Sequence, residues 1–139
     1  MAHDEPVARH RVLIVDDEES TRLLLARTLS KELKVDAQLA GTCEQALRLA
    51  ENYAYDAILL DLLMPGIGGF GVLQEIRSST PNAATPVIVV SVVTDKETVE
   101  RCKAAGANAF HHKPVRRAEL IETVRQQLAA RRKPKSTPR

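Results

Sequence analysis

Five short apolar segments, separated by stretches with helical periodicity, constrain the fold of this chain more than any other feature. They occupy residues 12–15, 35–40, 57–60, 87–90 and 107–110. Three of them are uninterrupted apolar runs, without the alternation expected of a half-exposed strand. Such runs are typical of strands covered on both faces, as in a parallel sheet. The segments therefore predict five strands in a largely buried parallel sheet.

The stretches between these segments predict helices. Thr42 can cap the second helix, with Gln45 replying three residues later, and Thr94 with Glu97 forms a similar pair before the fourth helix. Gly106 is placed to terminate that fourth helix. Strand and helix thus alternate five times. This alternation implies right-handed crossovers and a doubly wound α/β sandwich, with five helices flanking the sheet.

Length and charge predict one domain followed by a basic tail. A chain of 139 residues can bury most of the apolar surface of one domain. The net charge is +2, but residues 131–139 hold five bases and no acid, and the other 130 residues carry a net −3. We predict a folded domain over residues 10–131 and disordered segments at 1–9 and 132–139. No nucleic-acid-binding motif accompanies the tail, so we expect no direct binding to nucleic acid.

The sequence also predicts a cytoplasmic location. No segment approaches the roughly 20 apolar residues of a membrane span, and the polar N-terminus lacks the apolar core of a signal peptide. We therefore expect no membrane insertion. Cys43 and Cys102 match no metal or redox spacing and lie in helical patterns, so we expect small buried residues in a reducing compartment.

Polar side chains follow four of the five apolar segments, where each predicted strand ends. In open α/β sheets, ligands bind outside these carboxyl ends, at the point where the strand order reverses. One site is therefore expected to collect five residues: Asp16, Asp17, Asp61, Ser91 and Lys113.

These side chains predict a site for a cation and a phosphoryl group. Three crowded carboxylates repel one another unless a cation holds them, and ligands that are all oxygen suit a hard ion such as Mg²⁺. Lys113 offers a positive charge to a carboxylate or a phosphoryl oxygen, and the Ser91 hydroxyl can donate a further hydrogen bond.

These residues, together with Met64-Pro65 and Pro114, resemble the receiver domain of two-component response regulators over about residues 10–130. The resemblance implies a flavodoxin-like sheet with strand order 2-1-3-4-5. It implies a phosphoacceptor switch in a phosphorelay, supplied by a sensor histidine kinase or a histidine phosphotransfer protein, and not a turnover enzyme. A downstream protein partner would bind the face formed by the fourth helix, fifth strand and fifth helix. The chain would be a monomer or a weak homodimer.

The resemblance also assigns the phosphoryl and metal ligands. Asp61 would be the nucleophile that takes the phosphoryl group. Mg²⁺ would bind Asp17, Asp61 and the backbone carbonyl of Leu63, and Asp16 would act mainly through a bound water.

Three further residues would complete the switch. Ser91 would move toward the phosphoryl oxygen, Lys113 would bridge to the acyl phosphate, and Phe110 would be the aromatic residue that turns inward. The Lys113–Pro114 peptide would be cis, a state essentially confined to X-Pro bonds.

Four positions depart from the pattern of this family. Gly68 stands where an acid is common, and Val92 stands where a small residue is common. Leu63 and Val93 match positions that tune attack by water, but their apolar side chains cannot orient a water molecule. We therefore predict a slowly hydrolysing phosphoaspartate.

Other interpretations stay open at this point. The chain could be a pseudo-receiver that binds partners without phosphorylation, or a receiver fragment of a longer regulator. Asp16 and Asp17 could instead cap the first helix. Residues 66–71 satisfy the dinucleotide-binding pattern G-x-G-x-x-G, but Pro65 intervenes after the strand and no acid ends the next one.

Overall fold

The computed structural model describes residues 9–132, which form ten alternating elements. The strands are β1 (His10–Val15), β2 (Val35–Ala40), β3 (Ala57–Leu60), β4 (Val87–Ser91) and β5 (Ala109–His112). The helices are α1 (Glu19–Glu32), α2 (Cys43–Asn52), α3 (Gly68–Ser79), α4 (Lys96–Ala104) and α5 (Arg117–Arg132). Apart from Arg9 and Arg132, the segments predicted to be disordered lie outside the described residues.

The five strands form one parallel sheet in the order β2-β1-β3-β4-β5. This confirms the predicted doubly wound, flavodoxin-like architecture. The strand order reverses between β1 and β3. The chain therefore leaves the ends of these two strands toward helices on opposite faces of the sheet, α1 on one face and α3 on the other. Among the described residues, no helix has the length and apolar character needed to cross a bilayer.

Both faces of the three central strands are buried, as the continuous apolar runs predicted. Alternate residues of β3 point to opposite faces, with Ile58 and Leu60 in one apolar cluster and Ala57 and Leu59 in the other. The first cluster includes side chains of α2 and α3, and the second includes side chains of α1 and α5. Each fully buried Leu or Ile contributes roughly 2 kcal/mol through burial.

The fifth strand begins two residues later than the sequence predicted. The N–H of Ala107 donates to the carbonyl of Cys102 within the turn that ends α4. The Oδ1 atom of Asn108 accepts the N–H of Val87 at 2.9 Å. Residues 107 and 108 therefore close a turn, and the strand starts at Ala109.

Two of the three predicted helix ends are confirmed. Thr42 accepts the N–H of Gln45, and Gly106 takes a positive φ of 106° just after α4. The predicted cap at Thr94 is wrong. Asp95 caps α4 instead, and its carboxylate accepts the N–H of Thr98 at 3.0 Å.

The amino edge of the sheet is held by a buried amide. Asn82 is fully buried, and its Nδ2 donates to the carbonyls of Ala50 and Tyr53, both at 2.8 Å. Its Oδ1 accepts the N–H of Tyr55 at 2.7 Å and the hydroxyl of Thr85 at 3.0 Å. One side chain thus ties the end of α2 to the segments that precede β3 and β4.

Arg77 holds the neighbouring part of that edge. Its guanidinium donates to the carbonyls of Gly106, Asn82 and Ala83 and to the side chain of Asn108. Burial lowers the pKa of this guanidinium, although an arginine stays charged. The loops before β4 and β5 are therefore joined through α3.

Candidate functional site

Two buried acids stand at the point where the strand order reverses. Asp16 follows β1 and Asp61 follows β3, and their side chains are almost fully buried. The N–H of Asp16 donates to the carbonyl of Ala40 at 3.1 Å, and the N–H of Asp61 donates to that of Val15 at 2.9 Å. The parallel hydrogen-bonding ladder therefore extends one residue beyond the strands and fixes the backbone of both acids.

A third acid joins these two. Asp16, Asp17 and Asp61 each offer a carboxylate oxygen, and the three oxygens lie within 4.8 Å of one another. Asp17 is exposed, so the cluster opens to solvent on that side. Mg²⁺ binds oxygen at about 2.1 Å, which puts its ligand oxygens about 3 to 4 Å apart. The described side chains therefore fit this ion with small adjustments.

Lys113 reaches the cluster from the end of β5. Its Nζ lies 2.7 Å from Oδ2 of Asp16 and 3.3 Å from Oδ2 of Asp61. Its backbone N–H donates to the carbonyl of Ser91 at 2.9 Å, which holds the loop after β5 against the end of β4. The Lys113–Pro114 peptide is cis, as predicted. One ammonium group thus contacts both buried carboxylates.

The pKa values of Asp61 and Lys113 are both raised, for different reasons. Burial raises the pKa of the Asp61 carboxyl, and the Leu63 N–H and the Lys113 ammonium only partly oppose this rise. For Lys113, burial alone would lower the pKa, but the hydrogen bond to Asp16 and the charge of Asp61 outweigh it and raise the pKa. The ammonium keeps its proton because it faces two carboxylates, whereas Asp61 shares one ammonium with Asp16.

Asp61→Asn is expected to stabilise the metal-free protein at neutral pH. Because the folded-state pKa of Asp61 lies above its unfolded value, the wild type loses stability as pH rises through the folded pKa. An amide has no charge to bury, and it leaves Lys113 paired with Asp16. Urea unfolding in the presence of a chelator should therefore show a higher midpoint for the variant.

Two controls test the origin of this difference. The stability difference should vanish below about pH 3, where the carboxyl is protonated in both the folded and the unfolded state. Added Mg²⁺ should reverse the order, because only the wild type keeps all three carboxylates for the ion. A variant that is less stable than the wild type in chelator at neutral pH would contradict the assigned pKa direction.

The remaining predicted residues lie at the same edge or on the adjoining strands. Ser91 ends β4, is fully buried, and accepts the N–H of Val93 through its Oγ at 3.2 Å. The N–H of Leu63 donates to Oδ1 of Asp61 at 3.2 Å, and the Leu63 side chain is 52% exposed.

Phe110, on β5, is half-buried against the cluster that contains side chains of α2 and α3. Val92 is 53% exposed and lines a cavity of about 340 Å³ beside Lys113.

Sequence reasoning missed Gly69, which shapes the loop after Asp61. A Cβ atom at this position would lie 2.0 Å from the carbonyl oxygen of Asp61 and 2.6 Å from Cα of Leu62. The Gly69 N–H donates to the Leu62 carbonyl at 3.0 Å. The first turn of α3 therefore packs directly on the backbone of the central acid. The run of glycines at 66, 68, 69 and 71 was the available signal, but it does not show which glycine makes this contact.

Comparison with known proteins agrees with this geometry. The family model of the response regulator receiver domain matches residues 12–125. The sensory/regulatory protein RpfC of Xanthomonas campestris is 35% identical over 133 residues, which cover 89% of this chain and 18% of that protein. The chain therefore spans less than a fifth of the length of this relative.

Solved structures show the same fold. The receiver domain of sensor histidine kinase PA1611 from Pseudomonas aeruginosa has a TM-score of 0.79 and 30% identity, with 88% of this chain and 99% of that chain covered. That structure has a magnesium ion coordinated in its active-site cleft. The chemotaxis protein CheY4 of Vibrio cholerae has a TM-score of 0.80 and 28% identity, with 86% and 98% covered. The resemblance read from the strand-end residues is confirmed.

Proposed function

Because the chain belongs to the family of response regulator receiver domains, we propose that it is a phosphoacceptor switch of a two-component phosphorelay. A sensor histidine kinase or a histidine phosphotransfer protein would supply the phosphoryl group, and Asp61 would accept it. The observation that carries this proposal is the placement of the Asp61 carboxylate. It sits at a fixed strand end, beside Lys113 and within 4.8 Å of two more carboxylates.

The transfer requires positioning and neutralisation of charge more than covalent chemistry. An oxygen of the Asp61 carboxylate attacks phosphorus, and the bond between phosphorus and the donor imidazole nitrogen breaks. The electron pair of that bond returns to the imidazole. Lys113 already contacts Asp61 and can move to an oxygen of the phosphoryl group, which leaves Asp16 free to interact with bound water. No further reactant is needed.

We propose Mg²⁺ as the cation of this site, which when bound supplies positive charge to the crowded oxygens. Asp17, Asp61 and the carbonyl of Leu63 would hold it directly, and Asp16 would act through a water molecule. The support from this chain is its group of three carboxylates, which contains no His or Cys and needs only small adjustments to reach the spacing of the ion's ligands.

The output of the switch would be a change in partner binding, and the protein would not be a turnover enzyme. Ser91 would move toward the phosphoryl oxygen, Phe110 would turn inward, and the face formed by α4, β5 and α5 would change its affinity for a protein partner. Phosphorylation can shift this equilibrium only by stabilising one of two states. We expect a monomer or weak homodimer, and the two free buried thiols support a cytoplasmic location.

The proposal is tested by incubating the protein with acetyl phosphate and Mg²⁺ and measuring its intact mass. A gain of one phosphoryl group, absent when a chelator is added, supports the switch. A pull-down with phosphorylated and unphosphorylated protein then identifies the partner. No gain in mass under forcing conditions, together with phosphorylation-independent capture of a partner, would support a pseudo-receiver instead.

The phosphorylated protein is expected to hydrolyse slowly, with a half-life of minutes or longer. The backbone N–H of Leu63 donates to Asp61 and that of Val93 donates to Ser91, so both residues lie next to the site. Their apolar side chains would be unable to orient an attacking water molecule. Leu63→Asn adds an amide that can hold this water, and we expect it to accelerate hydrolysis several-fold. Loss of the phosphoryl mass after removal of acetyl phosphate measures both rates. A half-life of seconds for the wild type would refute the expectation.

A further inference from the structure

Arg22 contacts the backbone of the acidic cluster. It lies in the first turn of α1, and its Nη1 donates to the carbonyl oxygen of Asp16 at 2.7 Å. This carbonyl belongs to the peptide that joins Asp16 to Asp17. The contact is part-buried, so water competes with it less than at an open surface.

Gly41 leaves the space that this guanidinium occupies. It follows the last residue of β2, and a Cβ atom there would lie 2.7 Å from Nη1 and 3.1 Å from Cζ of Arg22. Its φ is not positive, unlike those of Gly66, Gly68 and Gly106. The backbone at this position could therefore accept another residue, and what requires a glycine is the guanidinium packed against it.

Asp16 and Asp17 differ in how their carboxylates are held. The Asp16 carboxylate accepts the Glu18 N–H at 2.9 Å and pairs with Lys113. Within residues 9–132, the Asp17 carboxylate is exposed and takes part in no hydrogen bond or ion pair to protein. The orientation of the Asp16–Asp17 peptide is therefore what directs Asp17 toward the cluster.

We propose that Arg22 is a positioning residue, which, seated over Gly41, fixes the Asp16–Asp17 peptide and thereby sets the carboxylate spacing that a divalent cation requires. The inference rests on the proposed function, because it concerns the same cation site. Partners that orient metal ligands typically account for 10–100-fold in metal affinity. Arg22 acts through Asp16 and touches neither the ion nor the phosphoryl group.

The direction of the change in Mg²⁺ affinity distinguishes a positioning role of Arg22 from an effect of its charge. Arg22 is a cation close to three acids, so loss of its charge alone would make the site more negative and strengthen the binding of Mg²⁺. Loss of the contact to Asp16 would instead loosen Asp17 and weaken binding. Arg22→Gln removes both charge and contact, whereas Gly41→Ala displaces the guanidinium and keeps its charge.

The test measures Mg²⁺ affinity by isothermal titration calorimetry on the unphosphorylated protein. We expect Arg22→Gln and Gly41→Ala each to weaken binding about tenfold. The double variant should be no weaker than either single one, because both changes remove the same contact. Arg27→Gln is the matched control, since it removes the same charge from an exposed position on α1, and it should leave affinity unchanged or slightly higher.

A second readout needs no metal. Amide hydrogen exchange in chelator should accelerate at Glu18 in Arg22→Gln and Gly41→Ala, but not in Arg27→Gln, because the Glu18 N–H donates to Asp16. Unchanged Mg²⁺ affinity in Arg22→Gln, or additive losses in the double variant, would overturn the inference. A different result would contradict the proposed function: the wild type would bind Mg²⁺ but would gain no phosphoryl mass from acetyl phosphate.

Discussion

Asp61→Asn is expected to abolish phosphorylation of this protein by acetyl phosphate. The amide that replaces the carboxylate is neutral and lacks a nucleophilic oxygen, so it cannot take the role proposed for Asp61. Asp16 also follows a strand and lies closer to Lys113, at 2.7 Å, so it is the alternative acceptor that the measurement has to exclude. Intact-mass measurement should show no gain for the variant under conditions that fully modify the wild type.

The matched control is Asp36→Asn. Asp36 is an exposed carboxylate on β2 that pairs with Arg9, and it takes no part in the acidic cluster. This variant has the same change in charge and should be phosphorylated at the wild-type rate. A phosphoryl group found on another residue of Asp61→Asn by peptide mapping would show that the acceptor has been misassigned.

Gly69→Ala is expected to reduce the rate of phosphorylation about 100-fold, the loss associated with a displacement of about 1 Å in a reacting group. The new methyl group would meet the Asp61 carbonyl at 2.0 Å, so the backbone that carries the carboxylate must shift. Overpacking of this kind also costs about 1–3 kcal/mol of stability. Phosphorylation kinetics at saturating Mg²⁺ and urea unfolding measure the two effects separately.

Gly71→Ala provides the control for this substitution. It lies two residues further along α3, and the atoms nearest to its new Cβ belong to Ile67, with Cβ of Ile67 at 2.9 Å, so the start of α3 must shift slightly while the Asp61 backbone is not among these nearest contacts. Alanine in a helix is favoured over glycine by about 1 kcal/mol, which offsets part of the cost of this contact, so this variant should stay close to wild-type stability and react normally. Equal losses of activity in both variants would show that the helix, and not the Asp61 backbone, is responsible.

Much of the fold and of the site could be predicted because their signals are local in the sequence. The apolar segments predicted all five strands to within two residues at each end, and the polar residue after a strand must lie at the carboxyl edge of a parallel sheet. Asp16, Asp17, Asp61 and Lys113 meet for this reason. Their convergence follows from topology alone.

The missed features depend on single contacts between distant residues. Arg22 and Gly41 are 19 positions apart, and nothing in the spacing of either residue indicates that a guanidinium lies over a glycine. The shift of β5 has a similar origin, because the Asn108 side chain replaces a strand residue as the acceptor for Val87. Polar side chains that bond to distant backbone leave no periodic pattern for a sequence to display.

The hydrogen bonds of Asn82 and Arg77 have a consequence for how a signal could cross this molecule. They anchor the segments that lead into β3, β4 and β5, so these strands begin from a common rigid base. We therefore expect that the proposed rearrangement at Ser91 would not be relieved by sliding β4 along its axis. In the proposed switch the displacement would instead spread sideways across the sheet, into α4 and β5, and would reach the outer surface as a change of shape at one flank.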